Sequence, residues 1–268
     1  MKAHIAPLPC LALALGVAGA CLRRVQLACG FEEDTGLARL DSGINLLLPL
    51  FLAAAVLALF FLALPLRGRR LSFEQCFLPP AGASTALLTA GALLFLPCGG
   101  LYLLRYLGGE GTAVDLVLGA FAVFLTLSVL YVLRRWRQGE TVDGALLLPP
   151  VVFYLLLLLT AYLAHGTFPV IARYGPEILA LAAMAYGFYQ VAAAGFQQGA
   201  HRALSRGTGI GMVLGLTAAV DLANPAESAA LAGGVLLLLA FSLSRREAER
   251  GRREKGAVPV EDTPPAET

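Results

Sequence analysis

Four carboxylates stand where apolar runs begin or end in this 268-residue chain: Asp115, Glu177, Asp221 and Glu227. Mid-run, an ionisable group would point to a proton relay or ion coupling, because a lone charge in hydrocarbon costs on the order of 3 kcal/mol and persists only where it is used. These four lie at run ends, where helix starts need acceptors. Thr112 and Asp115 have capping-box spacing, Asn224 and Glu227 repeat it with Pro225 at the first helical position, and Pro176 stands just ahead of Glu177. Their first role is therefore structural: they satisfy orphan N–H groups at a water interface.

A second acidic group, Glu32, Glu33 and Asp34, follows Arg23 and Arg24 and sits between Phe31 and Thr35. Three consecutive carboxylates could offer hard oxygen ligands to a cation. The spaced Asp/Asn ligands and turn glycine of a calcium loop are missing, so a compact cap or a salt-bridged interfacial turn fits better. Neutral polar residues form a third group. Tyr186, Tyr189, Gln190 and Gln197 fall within about 100° of one helix face, and Tyr154, Tyr162 and His165 within about 80° of another. Together they could line a polar seam; interhelical hydrogen bonds and interfacial aromatic anchors are the plainer reading. Pro97, Gly99 and Gly100 ahead of Tyr102, Arg105 and Tyr106 mark a broken helix or an ordinary proline kink.

No catalytic centre, metal site or cofactor is predicted. HExxH, GxSxG, GxGD and EExxxR patterns are absent, and His4, His165 and His201 are far apart. Gly207, Gly209 and Gly211 lack the strand and lysine of a phosphate loop; with Gly215 they read as close helix packing. Cys10, Cys21, Cys29, Cys76 and Cys98 show no metal spacing, and a Cys21–Cys29 bridge is allowed but not required.

The elements that must position these residues follow from composition. The chain is 58% hydrophobic and 14% charged, with a mean hydropathy of +0.74, where a soluble domain carries about a quarter charged residues. This excludes an ordinary soluble enzyme, a disordered chain and a disulfide-stapled domain. Eight runs are long enough to cross a bilayer: Ile5 to Leu22, Ile44 to Leu66, Gly82 to Leu104, Val114 to Leu133, Leu146 to Ala164, Glu177 to Phe196, Thr208 to Ala223 and Pro225 to Leu243. The seventh is the weakest, being short and glycine-rich.

Charge bias retains it. With eight crossings and a cytoplasmic N-terminus, Lys2, Arg67, Arg69, Arg70, Arg134, Arg135, Arg137, Arg202, Arg206 and the tail cations face inward. Arg23, Arg24, Arg39, Arg105 and Arg173 stay outside. The expectation is an all-α polytopic membrane bundle of about eight helices over residues 1–243, with an outer loop at 23–43 and both termini cytoplasmic. From Ser244 to residue 268 a disordered cytoplasmic tail is expected, whose Arg245, Arg246, Arg250, Arg252, Arg253 and Lys255 would contact anionic head groups. Ile5 to Ala20 before Cys21 has the look of a signal peptide or loose lipobox, but an uncleaved first span fits better. Leu-Pro-Pro occurs at residues 78–80 and again at 148–150, a hint of a duplicated hairpin.

The stretch Arg23-Arg24-Val25-Gln26-Leu27 leading to Phe31-Glu32-Glu33-Asp34-Thr35-Gly36-Leu37, together with Phe168-Pro169, Tyr174, Tyr186 and Ala194-Gly195-Phe196, resembles an uncharacterised family of multi-pass membrane proteins from clostridial-type (Firmicutes) bacteria. The resemblance covers most of the membrane part and implies identity without mechanism. Gln197 departs from it, so no role is carried over to that residue. The resulting expectation is a non-enzymatic binding, sensing or assembly component of the bacterial cytoplasmic membrane, with lipids as its surroundings, an unidentified protein partner and no nucleic acid. Its outer-face site would draw on Glu32, Glu33, Asp34, Tyr154, Tyr162, His165, Tyr186, Tyr189 and Gln190. The alternative is a transporter or channel for a small neutral or amphipathic solute.

Overall fold

The structure, a computed structural model, describes residues 8–32, 35, 37–39, 42–66, 70–80, 82–165, 171–221 and 224–257. Among these described residues ten helices follow in order: α1 (Leu8–Cys29), α2 (Ile44–Leu62), α3 (Phe73–Cys76), α4 (Ala83–Leu93), α5 (Phe95–Leu107), α6 (Ala113–Arg137), α7 (Pro149–His165), α8 (Ile171–Gly195), α9 (His201–Ala218) and α10 (Pro225–Ala257). A short 3-10 turn at Gly144–Leu147 leads into α7. Two two-residue strands, β1 (Arg70–Leu71) and β2 (Gly199–Ala200), pair antiparallel, Arg70 opposite Ala200.

Seven helical segments among the described residues are long and apolar enough to cross a membrane: α1, α2, α4 with α5, α6, the 3-10 turn with α7, α8, and α10 as far as Glu249. The chain is a multi-pass membrane protein. The weak seventh run of the sequence corresponds to α9, which begins at His201 and is too polar to be counted with the others. Even so, α9 runs the length of the bundle. Near its start Arg202 Nε donates to the carbonyl of Leu66, four residues past the end of α2 (3.2 Å), and near its finish Thr217 lies against Gly19 of α1. It is sheathed by α1, α2, α8 and α10, and twelve of its eighteen residues are buried. A helix wrapped by four others meets little lipid, so packing replaces apolarity as the requirement. Its glycines meet that requirement: a Cβ on Gly211 would press on Leu238 and the Ala183 carbonyl, and one on Gly207 on Gln190 and Gly187.

Local chemistry sets several boundaries. Between α4 and α5 the span is interrupted at Leu94; Pro97 lacks the N–H that would bond the Leu93 carbonyl, so the ladder cannot run through unbroken. At α6 the anticipated Thr112/Asp115 cap forms, with Thr112 N–H donating to Asp115 Oδ2 (2.6 Å). Helix α8 starts at Ile171, six residues before the predicted Glu177, and so contains Pro176. Pro176 cannot bond the Ala172 carbonyl. Arg23 of α1 does so in its place, Nη1 donating at 3.4 Å, so a tertiary contact lets the helix extend past its proline.

The tail corrects a further expectation. Instead of becoming disordered at Ser244, α10 continues to Ala257, because its next residues find partners: Ser244 Oγ donates to the Leu78 carbonyl (2.5 Å) and Arg245 Nη2 to Ser205 Oγ (2.7 Å). Residues 258–268 lie outside the described residues. Arg245 is turned inward at 2% exposure, which removes it from the set of head-group cations. Of the repeated Leu-Pro-Pro motifs, only the second opens a helix, at Pro149.

The bundle has two polar ends. One, here the acidic end, holds the C-terminus of α1, the starts of α2, α6, α8 and α10, and the ends of α5, α7 and α9. The other, the basic end, holds Arg134, Arg135, Arg137, Arg202 and Arg245 beside an aromatic cluster of Phe73, Phe77, Trp136 and Phe241.

Candidate functional site: an acidic-end cavity

Helices in a bundle run in alternating directions, so the starts of several come together at one end. Here α6, α8 and α10 start together around the ends of α5, α7 and α9, and they enclose a cavity of about 740 Å³. Each start carries a carboxylate: Asp115 and Glu227 in first turns, Glu177 one turn further along α8. Asp221, in the α9–α10 connection, adds a fourth, and among the described residues Arg105 and Arg173 are the cations on the wall. The residues that the sequence assigns to separate helix starts thus become neighbours lining one space. Any single start reads as a cap; only their convergence makes a site.

Behind Asp221 lies the charge that holds it. Arg23, 1% exposed, donates from Nη2 to Asp221 Oδ2 (3.0 Å) and to the Arg173 carbonyl (2.6 Å), and from Nη1 to Gln26 Oε1 (2.6 Å). Gln26 Nε2 passes the chain to Asn45 Oδ1 (3.1 Å), and Asn45 Nδ2 donates to the Gly30 carbonyl (2.7 Å). One guanidinium therefore ties α1 to the start of α8 and to the entry of α10, and through Gln26 to α2. A buried arginine is tolerable when its donors are used and a carboxylate balances its charge. The sequence offered little warning of this role, since Arg23 and Arg24 look alike there, yet Arg24 is exposed and Arg23 is not.

The cavity is polar but not uniformly so. Ser228 Oγ donates to the Asp221 carbonyl (2.5 Å) and steadies the loop at its rim. At its floor Tyr102, 3% exposed, lies beside Asn224 with its hydroxyl in no hydrogen bond of good geometry. A loosely held hydroxyl of this kind, with the Asn224 side chain as its neighbour, can still accept from or donate to a visitor. Among the described residues no three His, Cys, Asp or Glu side chains come close enough to cage a metal ion. Carboxylates spread around a wide space suit an extended organic group better than a single ion.

The residues singled out in the sequence fare differently. Glu32 accepts from Thr35 Oγ1 (2.6 Å) inside a small hairpin, in which Phe31 pairs with Ala38 and Arg39 N–H donates to the Gly30 carbonyl (2.9 Å); Glu33 and Asp34 lie outside the described residues. The hairpin sits against the site, the Arg173 guanidinium lying 5.9 Å over the Phe31 ring.

The seam does not form. Tyr154 is buried, donating to the Ala230 carbonyl (2.6 Å) and stacking on Phe188 (5.5 Å), whereas Tyr162, Tyr186 and Tyr189 are 61%, 42% and 54% exposed on the bundle's perimeter. Gln190 packs against Gly207, and the side chain of His165 lies outside what is described. The reason is antiparallel geometry. With Tyr154 level with Phe188, Tyr162 stands about 12 Å nearer the acidic end, away from Tyr186 and Gln190. Compared with protein-family models, with curated proteins and with solved structures, the chain matches none.

Proposed function

We propose that this chain is a non-enzymatic binding component of a bacterial cytoplasmic membrane, crossing it eight times with both ends inside, and that the acidic-end cavity takes a small solute bearing an amine. The crossing count treats α9 as the eighth span on the strength of its end-to-end course between α2 and α1. The positive-inside bias then sets the acidic end outward. The resemblance to multi-pass proteins of clostridial-type bacteria supports the compartment.

One observation carries the ligand class: four carboxylates on converging helix ends, of which Asp221 is paired with Arg23, share a space with Arg105 and Arg173 as the wall cations among the described residues, over the buried Tyr102. An ammonium group finds acceptors on several sides there, and the aromatic floor offers a ring and an Oη to the rest of the molecule. The test is calorimetric titration of the protein in lipid nanodiscs with putrescine, choline and acetate as probes. The two amines should bind and acetate should not; Glu227→Gln should weaken the amines about tenfold, about 1.4 kcal/mol. Equal binding by the variant, or preference for acetate, overturns the proposal. Reporter fusions at Gly139 and Gly109, on opposite ends of α6, test the orientation.

A transport reading is favoured by a separate observation, the break at Leu94 in the α4–α5 span. Uptake of labelled putrescine into proteoliposomes, abolished by Glu227→Gln, would convert the binding component into a carrier.

A further inference from the structure

On the flank of the bundle α2 and α8 stand apart, with α9 as the floor between them, and leave an apolar groove of about 590 Å³. Its floor is Leu48, Leu52 and Leu214, and Leu179 forms the rim on α8. Only its mouth is polar, where Gln26 and Asn45 join the Arg23 network. Along α2 the lining runs from Asn45 to Val56, about 16 Å of helix, or about half of the hydrocarbon thickness of a bilayer.

Below Val56 the groove is shut. The next residue on the same stripe of α2 is Phe60, and the next on the stripe of α9 that carries Leu214 and Ile210 is Arg206. Arg206 lies 3.7 Å over the Phe60 ring, plugging the space between the helices. Leu59 also closes on Gly209 at this level. A partner helix crossing the membrane would need a channel about 10–12 Å wide along the whole depth, and the plug denies it one. The groove has the length and polarity of one leaflet: a polar mouth at the acidic end and an apolar slot ending near mid-bilayer.

We infer that the groove seats an acyl chain of an anionic phospholipid from the leaflet at the acidic end, its head group held at the Asn45 mouth. Charge at the mouth fits this occupant. Arg39, exposed on the hairpin, has its backbone held there because Asn45 Nδ2 donates to its carbonyl (3.3 Å), which tethers an exposed cationic side chain beside the mouth. The inference rests on membrane embedding alone and is independent of the amine-binding proposal, since groove and cavity lie on opposite sides of the first turns of α8. Ala172, Gly175 and Pro176 face the groove, and Arg173, Tyr174 and Glu177 face the cavity.

The experiment is native mass spectrometry of the full chain released from nanodiscs made of equal parts phosphatidylglycerol and phosphatidylcholine. The unaltered chain should retain a single phosphatidylglycerol. Val56→Phe and Leu179→Trp fill the slot from its two walls and should each lower that occupancy about tenfold. Leu47→Phe, on the opposite face of α2, should leave it unchanged, and Arg39→Gln should abolish the preference for phosphatidylglycerol over phosphatidylcholine. Two wall positions are used so that a folding defect in one variant, visible by gel filtration, leaves the other to decide. Equal lipid retention in all variants overturns the inference, as does a co-purifying protein that the two fillers displace while lipid stays bound. Calorimetry with putrescine on Val56→Phe separates the two proposals, because loss of lipid with intact amine binding leaves the cavity reading standing.

Discussion

Each end of the bundle buries an arginine, and the two are solved differently. At the acidic end Arg23 is opposed by the Asp221 carboxylate at 3.0 Å and bonds two backbone carbonyls of α8. At the basic end Arg245 donates to the Ser205 hydroxyl (2.7 Å) and, at 3.5 Å, to the His201 carbonyl. Arg23 therefore acts as a charged clamp between helices that face the cavity, and its carboxylate partner belongs to the cavity wall. Arg245 hydrogen-bonds neutral groups, with the Glu249 carboxylate one turn further on opposing its charge without a direct bond, and it anchors α10 against α9 beyond the last apolar turn. The lesson concerns what a buried charge is bound to: an ionic partner couples stability to the site, and a hydroxyl partner couples it only to packing.

The comparison breaks first at Asp221. Asp221→Asn leaves the Arg23 charge buried without its opposite and should cost about 3 kcal/mol, read as loss of thermal stability in detergent micelles. The double replacement Arg23→Met with Asp221→Leu should recover most of that loss, because neither charge is then stranded; no recovery would mean that the pair is incidental.

Ser205→Ala should have the next largest effect, about 1–2 kcal/mol, from a buried guanidinium donor left unsatisfied. Arg245→Met should cost less than either, within about 1 kcal/mol, since it removes donor and desolvation penalty together and keeps the apolar stem. If Arg245→Met proved as damaging as Asp221→Asn, the two ends would not differ as described. The smallest effect on stability belongs to Glu227→Gln, within about 0.5 kcal/mol by the same melt, and its consequence should appear only in amine binding.

Much of the fold was legible because bilayer chemistry writes itself into long runs. Hydrocarbon forces each crossing to be apolar and internally bonded, so the runs containing α1, α2, α6, α7, α8 and α10 could be read from composition and length. The cap at Thr112 and the break near Pro97 were also legible, since both depend on residues within one turn of one another. Helix α9 was harder, because its neighbours exempt it from apolarity. The start of α8 was misplaced for a related reason: Pro176 signals a boundary unless something outside the helix satisfies the Ala172 carbonyl, and Arg23, 149 residues away, does so.

The site shows the same division. Tyr154, Tyr162, Tyr186 and Gln190 share faces on their own helices, but helical periodicity is silent about the level at which two helices meet, so the seam dissolved. Asp115, Glu177, Asp221 and Glu227 were each recognised at helix or loop ends, and each looked sufficient there. By itself the sequence determined which segments are long and apolar enough to enter a membrane and which residues stand at their ends, because those depend on transfer from water and on bonds within a single turn. Only the tertiary structure decided which ends meet, which arginine is buried and where the bundle leaves space. Those outcomes depend on contacts between residues far apart in the chain, and no local pattern encodes them.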